Sequence, residues 1–117
     1  MSTVSVTWFD NDAVWRAVEA HARALAVRFP EIEEIRVFGS LVKGTAVPGS
    51  DVDLLIVLAA SDRPFLDRIS GYLPSAFPCG VDVFPYTHVE IARMTHEGNA
   101  LIAAALSEGR TIFKRGG

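Results

Sequence analysis

The segment Asp51–Leu58 most restricts the folds that are open to this chain. Its aliphatic and β-branched residues predict a strand, and both faces of that strand are apolar after Asp53. The two aspartates occupy only the beginning of the strand. A strand that is apolar on both faces belongs inside a sheet, with its acidic end where the sheet opens to solvent. We therefore expect an α/β or α+β domain with a small mixed sheet flanked by helices.

The other periodic segments place this strand in the order αβ(loop)βαβααβ. Apolar residues at helical spacing predict a first helix from Asp10 to Phe29, with Asp10 or Asp12 as its N-cap. The further predictions are an acidic turn over Glu31–Glu34, a strand over Ile35–Phe38, a helix over Asp62–Phe77, a strand over Val81–Phe84, a Thr87-capped helix to Met94 or beyond, an alanine-rich helix over Gly98–Glu108 and a last strand over Thr111–Phe113. At 117 residues, we expect a single domain, 1–117.

Charge and hydropathy exclude several classes of protein. With 11 basic and 14 acidic residues, the net charge of −3 argues against general nucleic-acid binding. The longest apolar runs, Leu54–Ala60 and Ala100–Leu106, are far shorter than the roughly 18 residues of a membrane span. The first residues do not follow the pattern of a secretory leader, so we expect a cytoplasmic location. Cys79 is the single cysteine and allows no internal disulfide.

A glycine–serine pair follows the first predicted strand. Gly39 allows a ligand to approach the backbone closely, and Ser40 offers a hydroxyl and an N–H group at the start of a helical turn, where anions are favoured. Lys43 lies one turn further on and could reach the same anion. Residues 39–45 have the glycine spacing of a P-loop, but Thr45 stands where that motif requires lysine. The segment therefore predicts a phosphate site of another kind.

Three aspartates on two predicted strands are candidate metal ligands. Asp51 and Asp53 lie two positions apart, on one face, with Cα atoms separated by about 6.6 Å at a rise of about 3.3 Å per residue. Asp82 lies on the later strand and can face Asp53 if the two strands pair. Carboxylates held together in this way repel one another unless a cation lies between them, and oxygen ligands favour Mg²⁺ or Mn²⁺. We expect a two-metal phosphoryl-transfer site.

These residues resemble a known family. Gly39-Ser40, ten residues and then Asp51-x-Asp53 match the GSx10DxD signature of the minimal nucleotidyltransferases, a branch of the superfamily of DNA polymerase β and kanamycin nucleotidyltransferase. Asp82 stands where that family has its third carboxylate. The resemblance implies the polymerase β-like fold and transfer of a nucleoside monophosphate, most often AMP from ATP, to an acceptor hydroxyl with release of pyrophosphate.

The resemblance also implies roles for single residues. Asp51 and Asp53 would hold the metal ions, and Asp82 would bind the ion near the acceptor and act as its general base. Gly39 and Ser40 would hold the triphosphate, and Lys43 falls where family members often have Arg or Lys. The plain structural alternatives are turn carboxylates for the first two aspartates, a helix cap for Ser40, a solvated edge residue for Asp82 and a surface lysine for Lys43.

A partner follows from the small size of the chain. A minimal domain supplies one wall of a cleft, whereas the transfer requires an oriented acceptor and exclusion of water. In the minimal family the common partner is a HEPN-domain toxin, which some members adenylylate on a tyrosine, so the chain resembles an antitoxin. Two alternatives stay open: a non-catalytic antitoxin that works by occlusion, and an enzyme that modifies an aminoglycoside. The alanine-rich helix suits either the core or an interface, and the sequence leaves a homo-oligomer open.

Overall fold

A computed structural model describes residues 10–116 of the chain. The elements are α1 (Asn11–Arg28), β1 (Ile32–Phe38), α2 (Ser40–Lys43), β2 (Val52–Leu58), α3 (Phe65–Tyr72), β3 (Val81–Thr87), α4 (His88–His96), α5 (Ala100–Ser107) and β4 (Arg110–Lys114). The predicted first helix is confirmed, with Asp10 as its N-cap accepting a hydrogen bond from the Ala13 N–H. Thr87 caps α4 as predicted, in a reciprocal capping box with Glu90.

The four strands form one mixed sheet in the order β3-β2-β1-β4. β1 lies antiparallel to both β2 and β4, whereas β2 and β3 are parallel. The parallel register places Asp53 opposite Asp82, and the antiparallel register places Phe38 opposite Asp53. The predicted small mixed sheet flanked by helices is therefore confirmed, with β2 in the interior of the sheet.

Each face of the sheet carries its own apolar cluster. On one face, α1 contributes Val14, Val18, Ala22 and Leu25, which pack with the even-numbered residues of β2 from Val52 to Leu58. On the other face, Ile102 and Ala105 of α5 pack with Phe38, Leu55 and Val57. The face of β2 that carries Leu55 also carries Asp53, because side chains two positions apart share a face. The acidic end of β2 therefore lies on the α5 side.

Two buried or half-buried arginines fasten helices to the sheet. Arg36 of β1 donates to the carbonyl oxygens of Ala105, Leu106 and Gly109 at the end of α5. Arg68 of α3 is 4% exposed and donates to the Pro85 carbonyl and to both carboxylate oxygens of Glu90. These bonds hold α3, α4 and α5 in fixed positions relative to the strands, because each guanidinium donates to several acceptors at once.

Three predicted boundaries are wrong. The predicted acidic turn over residues 31–34 mostly belongs to β1, because Glu34 accepts hydrogen bonds from Arg36 on the same strand and from Thr111 on the neighbouring β4. The predicted helix over residues 62–77 covers only Phe65–Tyr72, since Pro64 and Pro74 bound it. β3 continues through Pro85 to Thr87, because β3 is an edge strand, where the missing N–H of proline is tolerated.

The alanine-rich helix has one buried side. Ile102 and Ala105 are fully buried, whereas Leu106 is 41% exposed. The inner side of α5 therefore belongs to the core, and its outer side remains accessible. Between residues 10 and 116, no helix is both long and apolar enough to cross a membrane.

Candidate active site

The corner between β1 and α2 is built on Gly39. This residue has φ +85° and serves as the N-cap of α2, a conformation that side chains other than hydrogen rarely permit. The Gly39 carbonyl accepts from the Lys43 N–H, and the Ser40 carbonyl accepts from the Thr45 N–H. Ser40 therefore becomes the first residue of a short helical turn beside the start of β2.

Asp51 and Asp53 stand at the start of β2. Asp53 is half-buried and lies beside β1, directly opposite Phe38, whereas Asp51 is exposed. The backbone is fixed on the other side by the Val52 N–H, which donates to the Gly80 carbonyl at 2.9 Å. Both aspartates are therefore held on the rim of the sheet by strand pairing on either side.

Asp82 completes a row of carboxylates across two strands, which we call the carboxylate edge (Asp51, Asp53 and Asp82). Asp82 is exposed and stands opposite Asp53 in the parallel register of β2 and β3. Beneath this edge, the rings of Phe38 and Phe84 pack with their centroids 5.7 Å apart. The predicted pairing of the two strands is confirmed, and it brings the third carboxylate to the same edge and face as the first two.

Two glycines make room for the two aspartates of β2. A Cβ atom at Gly39 would lie 2.5 Å from Asp53 Oδ2, and a Cβ atom at Gly80 would lie 2.9 Å from Asp51 Cγ. Asp53 therefore leans toward the β1–α2 corner, whereas Asp51 leans toward the start of β3. The two side chains share a face but are directed to opposite neighbouring strands.

The carboxylate edge is electrostatically unfavourable when it is fully ionised. Burial, together with the negative charges of Asp82 and Asp51, raises the pKa of Asp53 to about 6. The same negative charge of Asp51 adds to burial in raising the pKa of the Cys79 thiol. Because neighbouring negative charges repel one another, the carboxylate edge favours binding of a cation, including a metal ion that is also bound to phosphate.

The donor chemistry of the edge fits a hard divalent cation, although no protein-only cage is preformed. Within residues 10–116, no group of three or more His, Cys, Asp or Glu side chains is gathered so that it could hold a metal ion. Asp51 and Asp53 point toward opposite neighbouring strands, so their carboxylates are not gathered around one point. Mg²⁺ commonly binds one or two carboxylates together with substrate phosphates rather than an all-protein cage, so the edge suits an ion that is shared with a nucleotide.

Lys43 is directed elsewhere. Its Nζ lies 3.3 Å from Glu108 Oε1, and both side chains are about half exposed, at 54% and 49%. Such a surface ion pair contributes little to stability and exchanges readily. The structure thus gives Lys43 an acidic partner at the end of α5, a contact that sequence spacing did not predict. The role of Lys43 at a phosphate stays a prediction.

Sequence reasoning missed Gly80 and the aromatic pair beneath the edge. Gly80 precedes β3 and has no unusual backbone angle, so only the three-dimensional proximity of Asp51 reveals its importance. Two histidines make structural contacts: His21 Nε2 lies 2.8 Å from the Tyr72 carbonyl oxygen, and His88 Nε2 lies 2.9 Å from Glu33 Oε1. A cleft of about 510 Å³ between α1 and residues 73–77 contains none of the six candidate site residues.

Comparison with known proteins bears on this arrangement. The family model of the nucleotidyltransferase domain matches residues 18–101, a range that contains Gly39, Ser40 and the whole carboxylate edge. The chain belongs to the nucleotidyltransferase domain family. Membership in this family indicates that the chain is a transferase. None of the curated proteins matches it.

Solved structures show the same fold at low identity. A protein from Sulfolobus solfataricus, assigned as a nucleotidyltransferase, matches with a TM-score of 0.64 and 21% identity. The match covers 90% of this chain and 84% of the Sulfolobus chain, and the coverages below are given in the same order. A toxin–antitoxin with AMP-PNP has a TM-score of 0.56 and 18% identity, covering 84% and 74%. A mutant of the toxin–antitoxin MntA–HpeT has a TM-score of 0.56 and 17% identity, covering 85% and 73%. This nucleotidyltransferase domain therefore shares its fold with components of toxin–antitoxin complexes.

Proposed function

We propose that this nucleotidyltransferase domain, as a single domain acting in the cytoplasm, transfers AMP from ATP to a hydroxyl of a partner protein. The acceptor is a tyrosine of a HEPN-domain toxin, and the modification makes the chain an antitoxin. The observation that carries the proposal is the register of β2 and β3, which sets Asp53 opposite Asp82 beside the Gly39–Ser40 corner. A row of carboxylates next to a phosphate-binding corner suits phosphoryl transfer.

The transfer assigns different tasks to the three aspartates. The acceptor oxygen forms a bond to the α-phosphorus of ATP, the bond between that phosphorus and the bridging oxygen to the β-phosphate breaks, and pyrophosphate leaves. Asp82, an exposed member of the edge on β3, takes the proton of the acceptor hydroxyl. Asp53 lies beside the corner, and Asp51 and Asp53 would hold the cations together with Asp82.

Cations and nucleotide would bind to this edge together. Two Mg²⁺ ions, or Mn²⁺ in their place, would neutralise the developing charge on the triphosphate and on the acceptor oxygen. Burial and the negative charges of Asp82 and Asp51 raise the pKa of Asp53 to about 6, and a bound cation would offset that repulsion. Gly39 and Ser40 would hold the phosphates through backbone N–H groups and the serine hydroxyl. Lys43 would reach them after leaving Glu108.

The toxin partner is supported by the fold comparison and by the shape of the site. Two of the solved structures with this fold are toxin–antitoxin complexes, and one of them is a complex with AMP-PNP. The carboxylate edge is open, with two of its three aspartates exposed, so a second protein could bring its acceptor to Asp82. An acceptor held by a partner would also exclude water from the reaction.

Labelled ATP separates catalysis from occlusion. The purified full chain is mixed with the protein encoded by the neighbouring gene, Mg²⁺ and ATP labelled at the α-phosphate, and label on the partner is measured. We expect transfer by the wild-type chain and none by the double variant Asp51→Asn, Asp53→Asn. Glu97→Gln, an exposed change at the end of α4, is the matched control. If the chain instead neutralises its partner without labelling it, and the double variant neutralises it equally well, the chain acts by occlusion. Label on an aminoglycoside without any partner protein would show the small-molecule enzyme.

A further inference from the structure

We propose that Gly80 is a positioning residue for Asp51. The residue has no assigned role in the family signature, and it stands immediately before β3, opposite the start of β2. The significance of the contact for nucleotide binding rests on the function proposed above. The contact itself can be tested without any nucleotide.

The argument begins with the space that Gly80 leaves open. A Cβ atom on this residue would overlap Asp51 Oδ1 and would lie only 2.9 Å from Asp51 Cγ. Non-bonded carbon atoms are favourably separated by about 3.5 to 4.0 Å, so the carboxylate of Asp51 occupies the volume that any side chain at position 80 requires. An alanine there must push the carboxylate away from β3.

The backbone itself does not require glycine. Gly80 is absent from the glycines of positive φ in residues 10–116, which are Gly39, Gly44, Gly49, Gly98 and Gly116. Its carbonyl accepts from the Val52 N–H, an interaction that any residue can make. The demand for glycine therefore comes from the neighbouring carboxylate, not from the chain conformation.

The position of Gly80 also explains the direction of Asp51. Asp53 leans over Gly39 toward β1, whereas Asp51 leans over Gly80 toward β3, the strand of Asp82. The two like charges of Asp51 and Asp53 are thereby directed toward opposite neighbouring strands. Gly80 thus selects the side of β2 on which Asp51 offers its oxygen atoms.

The first test is a double-mutant cycle on the stability of the full chain in cation-free buffer. Gly80→Ala, Asp51→Ala and the double variant are compared by urea unfolding. We expect Gly80→Ala to lower the unfolding midpoint in the wild-type background and to have little effect in the Asp51→Ala background, because the overlapping group is then gone. An equal effect of Gly80→Ala in both backgrounds would overturn the proposal.

The second test measures binding of MgATP by calorimetry. Displacement of a ligand carboxylate is expected to weaken the affinity on the order of 10-fold in Gly80→Ala, with no further loss when it is added to Asp51→Ala. The matched control is Gly71→Ala, because its Cβ atom would meet only Arg63 Nη2 at an ordinary 3.5 Å, so its affinity should not change. Wild-type affinity in Gly80→Ala would contradict the positioning role. Failure of the wild-type chain to bind MgATP would instead count against the proposed function, while the stability cycle still decides the Gly80–Asp51 contact.

Discussion

Glu90 joins the buried guanidinium of Arg68 to the capping box of α4. Replacing Glu90 with glutamine measures how much its negative charge contributes to the free energy of unfolding. Glu90 Oε1 accepts from Arg68 at 2.7 Å and from the Thr87 N–H at 2.9 Å, while Oε2 accepts from Arg68 at 3.0 Å. Glutamine retains an oxygen for the Thr87 N–H, because Gln also serves in capping boxes. It removes the charge and sets an amide against the second guanidinium nitrogen.

The expected loss follows from the pKa of Glu90. Hydrogen bonding from Arg68 lowers that pKa from 4.5 to about 2. A depression of about 2.5 units corresponds to about 3 kcal/mol of stability at neutral pH. Because the Glu90 side chain is 24% exposed, screening by solvent reduces the figure, and we expect Glu90→Gln to cost about 2 to 3 kcal/mol.

The sign of the shift sets the pH dependence. A carboxylate whose pKa is lowered by folding contributes its full stability above the unfolded pKa of 4.5 and loses it as the pH falls through the folded pKa of about 2. Urea unfolding of the wild type and Glu90→Gln should therefore differ by about 2 to 3 kcal/mol at pH 7 and by about 1 kcal/mol at pH 3. The control Glu97→Gln, at an exposed position at the opposite end of the same helix, should be close to neutral. A difference that is equal at the two pH values, or no larger than that of the control, would refute the reasoning.

Four other variants test the remaining contacts by urea unfolding in cation-free buffer. Arg36→Met removes a guanidinium that donates to three carbonyls at the end of α5 and should cost about 3 kcal/mol; a loss below about 0.5 kcal/mol would show that these bonds contribute little. Gly39→Ala places a side chain at a φ of +85° and against the Asp53 carboxylate, so it should lower the free energy of unfolding by about 1 to 3 kcal/mol. Unchanged stability would contradict the close packing of the corner. Asp53→Asn should abolish transfer and stabilise the chain at pH 7 by about 1 kcal/mol, because solvent screening at this half-buried side chain reduces the value that the pKa alone would give. Folding raises the pKa of Asp53 to about 6, so wild-type stability falls as the pH rises from 3.8 through 6; a destabilised variant would contradict the repulsion. Tyr72→Phe loses the 2.9 Å hydrogen bond to Glu31 and should lower the free energy of unfolding by about 1 kcal/mol. MgATP affinity should not change, because this bond lies at the opposite end of β1 from the carboxylate edge; an altered affinity would argue against that separation.

The sequence was sufficient for the interior strand and for the strand that carries the third aspartate. Alternation in β2 and β3 predicted which side chains share a face, and the observed register of Asp53 with Asp82 agrees with it. The first helix was equally clear, because its buried residues recur at helical spacing from Val14 to Leu25. These elements are specified by local periodicity, which a single sequence displays in full.

The errors fall where distant residues override local preference. Glutamates are rare in strands, which favours a turn over residues 31–34. Glu34 is nevertheless stabilised in β1 by Thr111, a residue 77 positions away. Proline usually ends a strand, but Pro85 lies on an edge strand, and its carbonyl accepts from Arg68. The pairing of Lys43 with Glu108 and the packing of Asp51 over Gly80 are likewise long-range contacts that spacing cannot reveal.

The roles of the six candidate site residues stay predictions, because the fold establishes their neighbourhood and not their chemistry. The sequence predicted that neighbourhood well: Gly39, Ser40 and the carboxylate edge lie at one end of the sheet. The lateral directions of Asp51 and Asp53 could not be predicted, since they depend on which neighbouring positions lack a side chain.

The central claim is that aspartates of two separate strands act together in one transfer reaction. The most direct test is the single-turnover rate of label transfer from α-labelled ATP to the partner protein by Asp82→Asn, measured with saturating nucleotide. The account predicts that the rate falls by on the order of 10² to 10⁴, as expected for loss of a general base, while the fold remains intact by circular dichroism. An Asp82→Asn chain that transfers AMP at the wild-type rate would contradict the claim.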